Sequence, residues 1–215
     1  MRRAEKDLLN LPFPDRESAA VLLADKIRGK VKHDTLVLAI PRGGVVTGKV
    51  ISKALKLELD LILCKKVGHP ANPEYAIGSV CSDGNAIQTD YSDPSYQSYF
   101  IQTSQSLASK LSERYQKLTG KSDPVKLKDR DVLICDDGAA TGSTLLTAVM
   151  SAKQNGAAKV FIAVPVISQS AFNTLNKIGD NLFILAKPSP FVAVGEFYIH
   201  FPTVEDEFVR QILKT

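Results

Sequence analysis

A chain of 215 residues, 44% hydrophobic and 23% charged, is long enough for a sizeable core and has ordinary globular composition. Lys+Arg 27 against Asp+Glu 23 leaves +4, too mild a surplus to point to nucleic acid, although a local positive site for a small polyanion fits it. No apolar run reaches about 18 residues and MRRAEKDLLN has no apolar leader core, so a single cytoplasmic domain (1–215) without a membrane partner is expected.

Cys64, Cys81 and Cys135 are odd in number and lack metal-ligand spacing. Cys64 and Cys135 lie in apolar runs, so buried thiols in a reducing compartment are expected, not a disulfide framework.

In chain order, Leu11-Pro12-Phe13-Pro14 is a rigid lead-in. Asp15 is placed to cap a helix from Arg16 to about Lys30, with Ala20, Leu23 and Ile27 on one face. Thr35 to Ile40 (TLVLAI) reads as a central strand. It runs into Pro41-Arg42-Gly43-Gly44, and Val45 to Leu55 has helical spacing. Strand, glycine turn and helix place backbone N–H groups at a carboxyl edge, and Arg42 adds a planar cation suited to phosphate oxygens. Gly43 to Val50 (GGVVTGKV) nearly matches a Walker A loop. Val50 lacks the hydroxyl that loop needs for magnesium, and Val45 and Val46 read better as the first turn of a helix.

Leu59 to Cys64 (LDLILC) is a second strand ending in Lys65 and Lys66. From Val67 the chain turns irregular through Gly68-His69-Pro70-Ala71-Asn72-Pro73-Glu74. Tyr75 to Cys81 and Ala86 to Thr89 flank Ser82-Asp83-Gly84-Asn85 as a hairpin. His69 and Glu74 are titratable loop residues that fit surface roles as well as proton transfer. Tyr91 to Leu118 carries Phe100, Leu107, Leu111, Tyr115 and Leu118 at helical spacing, a long amphipathic helix.

The run Val132 to Thr144 (VLICDDGAATGST) organises the chain. Val132 to Cys135 suits a strand buried on both faces, with Asp136 and Asp137 at its carboxyl end. The small-residue turn through Thr141-Gly142-Ser143-Thr144 feeds a helix-like run, Leu145 to Gln154, offering N–H groups, hydroxyls and the positive end of a helix dipole to a phosphate monoester. The carboxylates beside it suit sugar hydroxyls or hydrated magnesium. Lys159 to Pro165, Ser168 to Ile178 and Asn181 to Ala186 continue the alternation as strand, helix and strand. A parallel sheet with helices on both faces follows, an α/β doubly wound architecture. The tail from Lys187 is an aromatic loop including Phe191, Phe197, Tyr198 and Phe201, with a short helix from about Val204. Such rings pack as a core lid or form a cleft wall for a flat acceptor.

The strand, acid pair and Thr-Gly-Ser-Thr resemble the phosphoribosyl-diphosphate (PRPP) motif of type I phosphoribosyltransferases. Gly138 and Ala139 depart from the bulkier aliphatics usual there. Together with Pro-Arg-Gly-Gly, Lys-Lys-Val-Gly and the Val-Gly-x-Phe-Tyr tail, the pattern resembles a bacterial subgroup of undefined acceptor. The resemblance implies a mainly parallel sheet with an inserted mobile loop and hairpin (about 67–89) and a C-terminal hood (about 187–215). It implies Mg2+-dependent transfer of phosphoribose from PRPP to a nitrogenous acceptor, releasing pyrophosphate. Carried over, Thr141, Gly142, Ser143 and Thr144 hold the 5-phosphate, with Ala139 and Ala140 lending N–H groups. Asp136 and Asp137 take the ribose hydroxyls and, through them and water, the metal. Pro41, Arg42, Gly43, Gly44 and Lys65 or Lys66 take the pyrophosphate, with a cis peptide near Arg42-Gly43. Phe191 and Tyr198 belong to the acceptor wall. Ala140 stands where 6-oxopurine enzymes carry an aspartate, which disfavours that acceptor class. Family members often pair, which makes the helix around 95–118 a candidate homodimer interface. The rival readings are a PRPP-sensing regulator without catalysis, and a hydrolase or a transferase to a non-base acceptor.

Overall fold

Aliphatic runs build the centre of the sheet. The computed structural model describes residues 11–88 and 94–214. Strands β1 (Leu36–Ala39), β6 (Asp131–Cys135) and β7 (Lys159–Val166) are buried almost throughout, as expected for strands covered on both faces. With β2 (Leu59–Leu61) and β8 (Asn181–Ala186) they form a parallel sheet ordered β2-β1-β6-β7-β8. Period-two alternation divides its side chains. Leu38, Ile134 and Ile162 face α4 (Ser143–Gln154) and α5 (Gln169–Leu175), while Val37, Leu133 and Phe161 face α1 (Arg16–Ile27) and α2 (Gly43–Leu55). The doubly wound α/β expectation holds. Asp15 caps α1 as expected, its carboxylate accepting from the Ser18 N–H at 2.7 Å.

Three expectations change. The run Leu59 to Cys64 is not one strand: β2 stops at Leu61, and β3 (Cys64–His69) opens a separate antiparallel sheet with β4 (Asn72–Cys81) and β5 (Ala86–Gln88). The segment read as irregular from Val67 is therefore mostly a hairpin, with register shifts at Val67/Gly68 and Gly68/His69. A Cβ on Gly68 would lie 2.4 Å from the Pro73 carbonyl oxygen, so glycine there lets the two backbones cross closely. The residues that read as breakers are what the bulged ladder needs. Third, Cys64 and Cys81 sit opposite each other in that ladder, 4.0 Å apart at Cα, and are disulfide-bonded. The free-thiol argument for a reducing compartment thus applies to Cys135 alone, which is buried and whose thiol burial pushes up. Among the described residues no helix is long and apolar enough to cross a membrane.

The long helix α3 (Tyr96–Thr119) buries Phe100, Leu111, Tyr115 and Leu118 against β3, β4 and the short helix α6 (Asp206–Lys214). Its expected start at Tyr91, like the hairpin's expected end at Thr89, lies outside the described residues. The lead-in is more than a spacer. Phe13 bridges Tyr198, donates its N–H to the Phe197 carbonyl at 2.8 Å and accepts from Ile199 N–H at 2.8 Å, tying the tail to α1.

Candidate active site

Adjacent parallel strands end in adjacent turns. Ala39 of β1 pairs with Cys135 of β6, so the turn into α2 and the turn into α4 emerge side by side at the carboxyl edge. Their contact is close. A Cβ on Gly43 would lie 1.8 Å from Asp137 Oδ2, and one on Gly44 would lie 2.7 Å from the Cys135 carbonyl oxygen and 2.8 Å from Asp136 Cα. Backbone atoms leave no room for a side chain at Gly44, and one at Gly43 would displace the Asp137 carboxylate. The cis peptide is Pro41–Arg42, one bond before the place expected. Because α2 starts at Gly43, the Walker-like stretch is helix and makes no phosphate loop.

Both helices begin at this edge without a side-chain cap. Arg42 precedes α2 and Gly142 (φ +74°) precedes α4, and neither residue supplies a side-chain acceptor to the first turn. First-turn N–H groups at the positive ends of two helix dipoles thus lie at one edge, where they suit anions, although the Ser143 N–H donates to Thr141 Oγ1 at 3.4 Å and the Val45 N–H to the Arg42 carbonyl at 3.1 Å. At α4 a cavity of about 110 Å3 is lined by Asp136, Gly138 and the run from Ala139 to Leu145. Thr141, Ser143 and Thr144 are exposed there, with the Thr141 and Ser143 hydroxyls 3.1 Å apart. One expected donor is missing. Ala139 is buried and its N–H is spent on the Val166 carbonyl at 2.9 Å, because the turn continues as a bridge to Ile167 before it leaves the sheet.

Lys65 and Lys66, both exposed, line a larger cavity of about 720 Å3 together with Thr141, Ser143 and Thr144. The hairpin packs along α4 and so brings these lysines to the hydroxyl end of the site; Arg42 does not line that cavity. Arg42 Nη1 instead meets Glu205 Oε2 at 3.1 Å in a solvent-exposed pair. Such pairs contribute little and exchange readily for a more highly charged anion.

The two acids differ. Asp136 lines the cradle cavity and accepts the Asp137 N–H at 2.9 Å. Burial, and then the neighbouring Asp137 charge, push its carboxyl well above the ordinary carboxylate range. Asp137 leans away from the cradle. Its Oδ2 accepts from Arg16 Nε at 2.7 Å, and its carbonyl accepts from the Tyr198 hydroxyl at 2.6 Å. The sequence places Arg16 only as the first residue of a helix. A cation at a helix N-terminus opposes the dipole, a weak local signal that it serves a distant partner.

In the hood, Tyr198 does not offer a ring face to an acceptor. It is 5% exposed, 4.9 Å from the stacked Phe201 ring and 5.8 Å from Phe13, so the core-lid alternative describes it. Phe191 packs on Phe197 at 4.7 Å and stays partly exposed. Val194 Cγ1 would lie 2.5 Å from a Cβ on Gly138, which explains the small residue in the motif turn. His69 is edge-on to Tyr96 at 4.4 Å and accepts the Ala71 N–H, a packing role at the hairpin tip. The Glu74 side chain lies outside the described residues.

Neighbouring strands of a doubly wound parallel α/β sheet thus deliver two helix starts and an acid pair to one carboxyl edge. The chain belongs to the phosphoribosyl transferase domain family, whose model matches residues 16–172. Two Mycobacterium tuberculosis proteins named as candidate phosphoribosyl transferases, Rv0571c and MT0597, are each 31% identical over 206 residues, 94% of this chain and 46% of theirs. The chain therefore spans about half the length of these curated relatives. The crystal structure of TT1426 from Thermus thermophilus is similar at 34% identity and a TM-score of 0.85, covering 94% of this chain and 98% of that one.

Proposed function

We propose that the protein transfers the 5-phosphoribosyl group of PRPP to a nitrogenous acceptor and releases pyrophosphate. The observation that carries this reading is the pair of uncapped helix starts on neighbouring strands with two carboxylates between them. Two such sites at one sheet edge suit a pentose phosphorylated at both ends. The first turn of α4 and the hydroxyls of Thr141, Ser143 and Thr144 bind the 5-phosphate, and Ala140 and Gly142 shape the turn. Asp136 accepts from the ribose hydroxyls, and Asp137 stands against Gly43 beside the leaving group. Arg42 leaves Glu205 to bind pyrophosphate, with the N–H groups of Gly43 and Gly44; Pro41 sets the turn. Lys65 and Lys66 flank the phosphate end.

As the C1–O bond breaks, its electron pair leaves on pyrophosphate and the sugar becomes cationic. Fixed donors at the leaving group act where charge develops. A ring nitrogen closes on C1 from the opposite face, and as the new N–C1 bond forms its proton passes to solvent water. Asp136 and Asp137 are hard oxygen donors, and no third His, Cys, Asp or Glu joins them in a cluster among the described residues. They fit magnesium held largely by substrate oxygens and water, which would supply charge neutralisation at the diphosphate. Of the two rings expected in the acceptor wall, Phe191 is the one still partly exposed. Ala140 brings no carboxylate to a purine N7, which favours acceptors other than 6-oxopurines.

The test is pyrophosphate release from PRPP with a panel of bases, beside calorimetric PRPP binding. Release that requires a base supports the transferase. Release in water alone indicates a hydrolase, binding without turnover a sensor, and no binding refutes the site.

A further inference from the structure

We propose that Arg16, outside the motif, is a positioning residue of this site that sets the Asp137 carboxylate against the Gly43 turn and couples it to the hood. The inference rests on the PRPP reading above. Arg16 is only 6% exposed, and a buried guanidinium needs fixed partners. It has three. Nε donates to Asp137 Oδ2 at 2.7 Å, Nη1 donates to the Pro202 carbonyl at 2.9 Å, and the guanidinium plane lies 3.6 Å from the Phe201 ring centroid. Two directed bonds and a stacked face leave the planar fork one orientation. Asp137 inherits that orientation. Its Oδ2 stands where a Cβ on Gly43 would be, so the carboxylate that Arg16 grips is the one that touches the pyrophosphate turn.

The charge argument runs the same way. Two adjacent carboxylates face a substrate that carries phosphate at one end and diphosphate at the other. Arg16 lies on the hood side of Asp137, and its cation offsets one carboxylate where water has little access. Phe201 and Pro202 belong to the tail, so a shift of the tail moves Arg16, and through it Asp137.

The experiment is a double-mutant cycle of Arg16→Gln and Asp137→Asn, read by calorimetric titration of PRPP with magnesium and by thermal unfolding. Arg16→Gln is expected to weaken PRPP binding about 10-fold or more in the unaltered background and less than about 2-fold beside Asp137→Asn. Equal losses in both backgrounds mean a merely structural role and overturn the proposal. A gain of affinity means that Arg16 withholds Asp137 from substrate, and overturns it too. Should Arg16→Gln not fold, Phe201→Leu takes its place in the cycle: it removes the stacking platform, leaves the charge, and is expected to weaken binding several-fold only where Asp137 is intact. Unchanged binding in that variant overturns the proposal. If the unaltered protein binds no PRPP, the transferase reading and this one fall together; if it binds and Arg16→Gln binds equally, only this one falls.

Discussion

Gly44→Ala tests whether the two turns must touch. The added methyl would meet the Cys135 carbonyl oxygen at 2.7 Å and Asp136 Cα at 2.8 Å, both backbone atoms of the motif strand and its turn. Ordinary contact begins at 3.4 Å, so the turns must part by about 0.7 Å, the difference between 3.4 and 2.7. Overpacking of this kind costs about 1–3 kcal/mol. Alanine recovers up to about 1 kcal/mol over glycine inside a helix, so the net loss of stability is about 0–2 kcal/mol. Function should suffer more, because a displacement near 1 Å at a reacting centre costs about 100-fold in rate. Gly48→Ala is the control. It lies in the same helix and meets the Ala39 Cβ at 2.8 Å, away from the acid pair. Urea unfolding should show similar small losses for both variants, while PRPP calorimetry and pyrophosphate release should fall in Gly44→Ala alone. Wild-type PRPP affinity in Gly44→Ala would refute the claim that the facing turns form one site.

The raised Asp136 carboxyl makes a pH prediction. Between 3.8 and its folded value the native state holds a proton that the unfolded state releases, so unfolding free energy should fall as pH rises through that window. Denaturation across pH should show this slope in the wild type and lose it in Asp136→Asn, whereas PRPP affinity of the wild type should rise with pH as Asp136 ionises. Tyr115→Phe removes the hydroxyl that bonds both oxygens of buried Asp60, at 2.8 and 2.9 Å, leaving the Val125 N–H and the Lys121 ammonium. Urea titration should show a loss of about 1.5–3 kcal/mol without change in PRPP binding. The Cys64–Cys81 bond closes a loop with a sequence separation of 17, so Cys64→Ser should cost about 3 kcal/mol of stability under oxidising conditions and nothing further in reductant. Denaturation with and without dithiothreitol reads both.

What the sequence made legible was local. The strand Asn181–Ala186 has the bounds its composition suggests, and the Asp15 cap lies where side-chain chemistry puts it, whereas α4 begins at Ser143, inside the stretch expected to be turn. What it hid depended on pairing across distance. Nothing within Gly68 to Pro73 announces a strand, because the signal for that hairpin is a bulged register with β4, and without the register Cys64 and Cys81 cannot be seen to face each other. Arg16 was invisible as a site residue for the same reason: its partners stand 121 positions away at Asp137 and 186 away at Pro202. Tyr198 misled in the opposite direction. An aromatic cluster reads alike as wall or as core, and only the Phe13 and Phe201 rings on either side decide for core.

The departure of the motif turn from bulkier residues now has a structural cause. Val194 of the tail occupies the volume beside Gly138, the Tyr198 hydroxyl holds the Asp137 carbonyl, and Arg16 joins the Asp137 carboxylate to Phe201 and Pro202. Tail and motif therefore interlock at two consecutive residues of the turn, Asp137 and Gly138. A larger residue at 138 would push Val194 outward, and Val194 opens the short 3-10 turn, Val194–Phe197, that leads into Tyr198. If the protein is the transferase proposed above, acceptor choice and ribose binding would be set by one packed unit. Gly138→Val should consequently change which bases support pyrophosphate release as well as PRPP affinity. A variant that lost only PRPP affinity, with the ranking of bases unaltered, would separate the hood from the motif and refute the coupling.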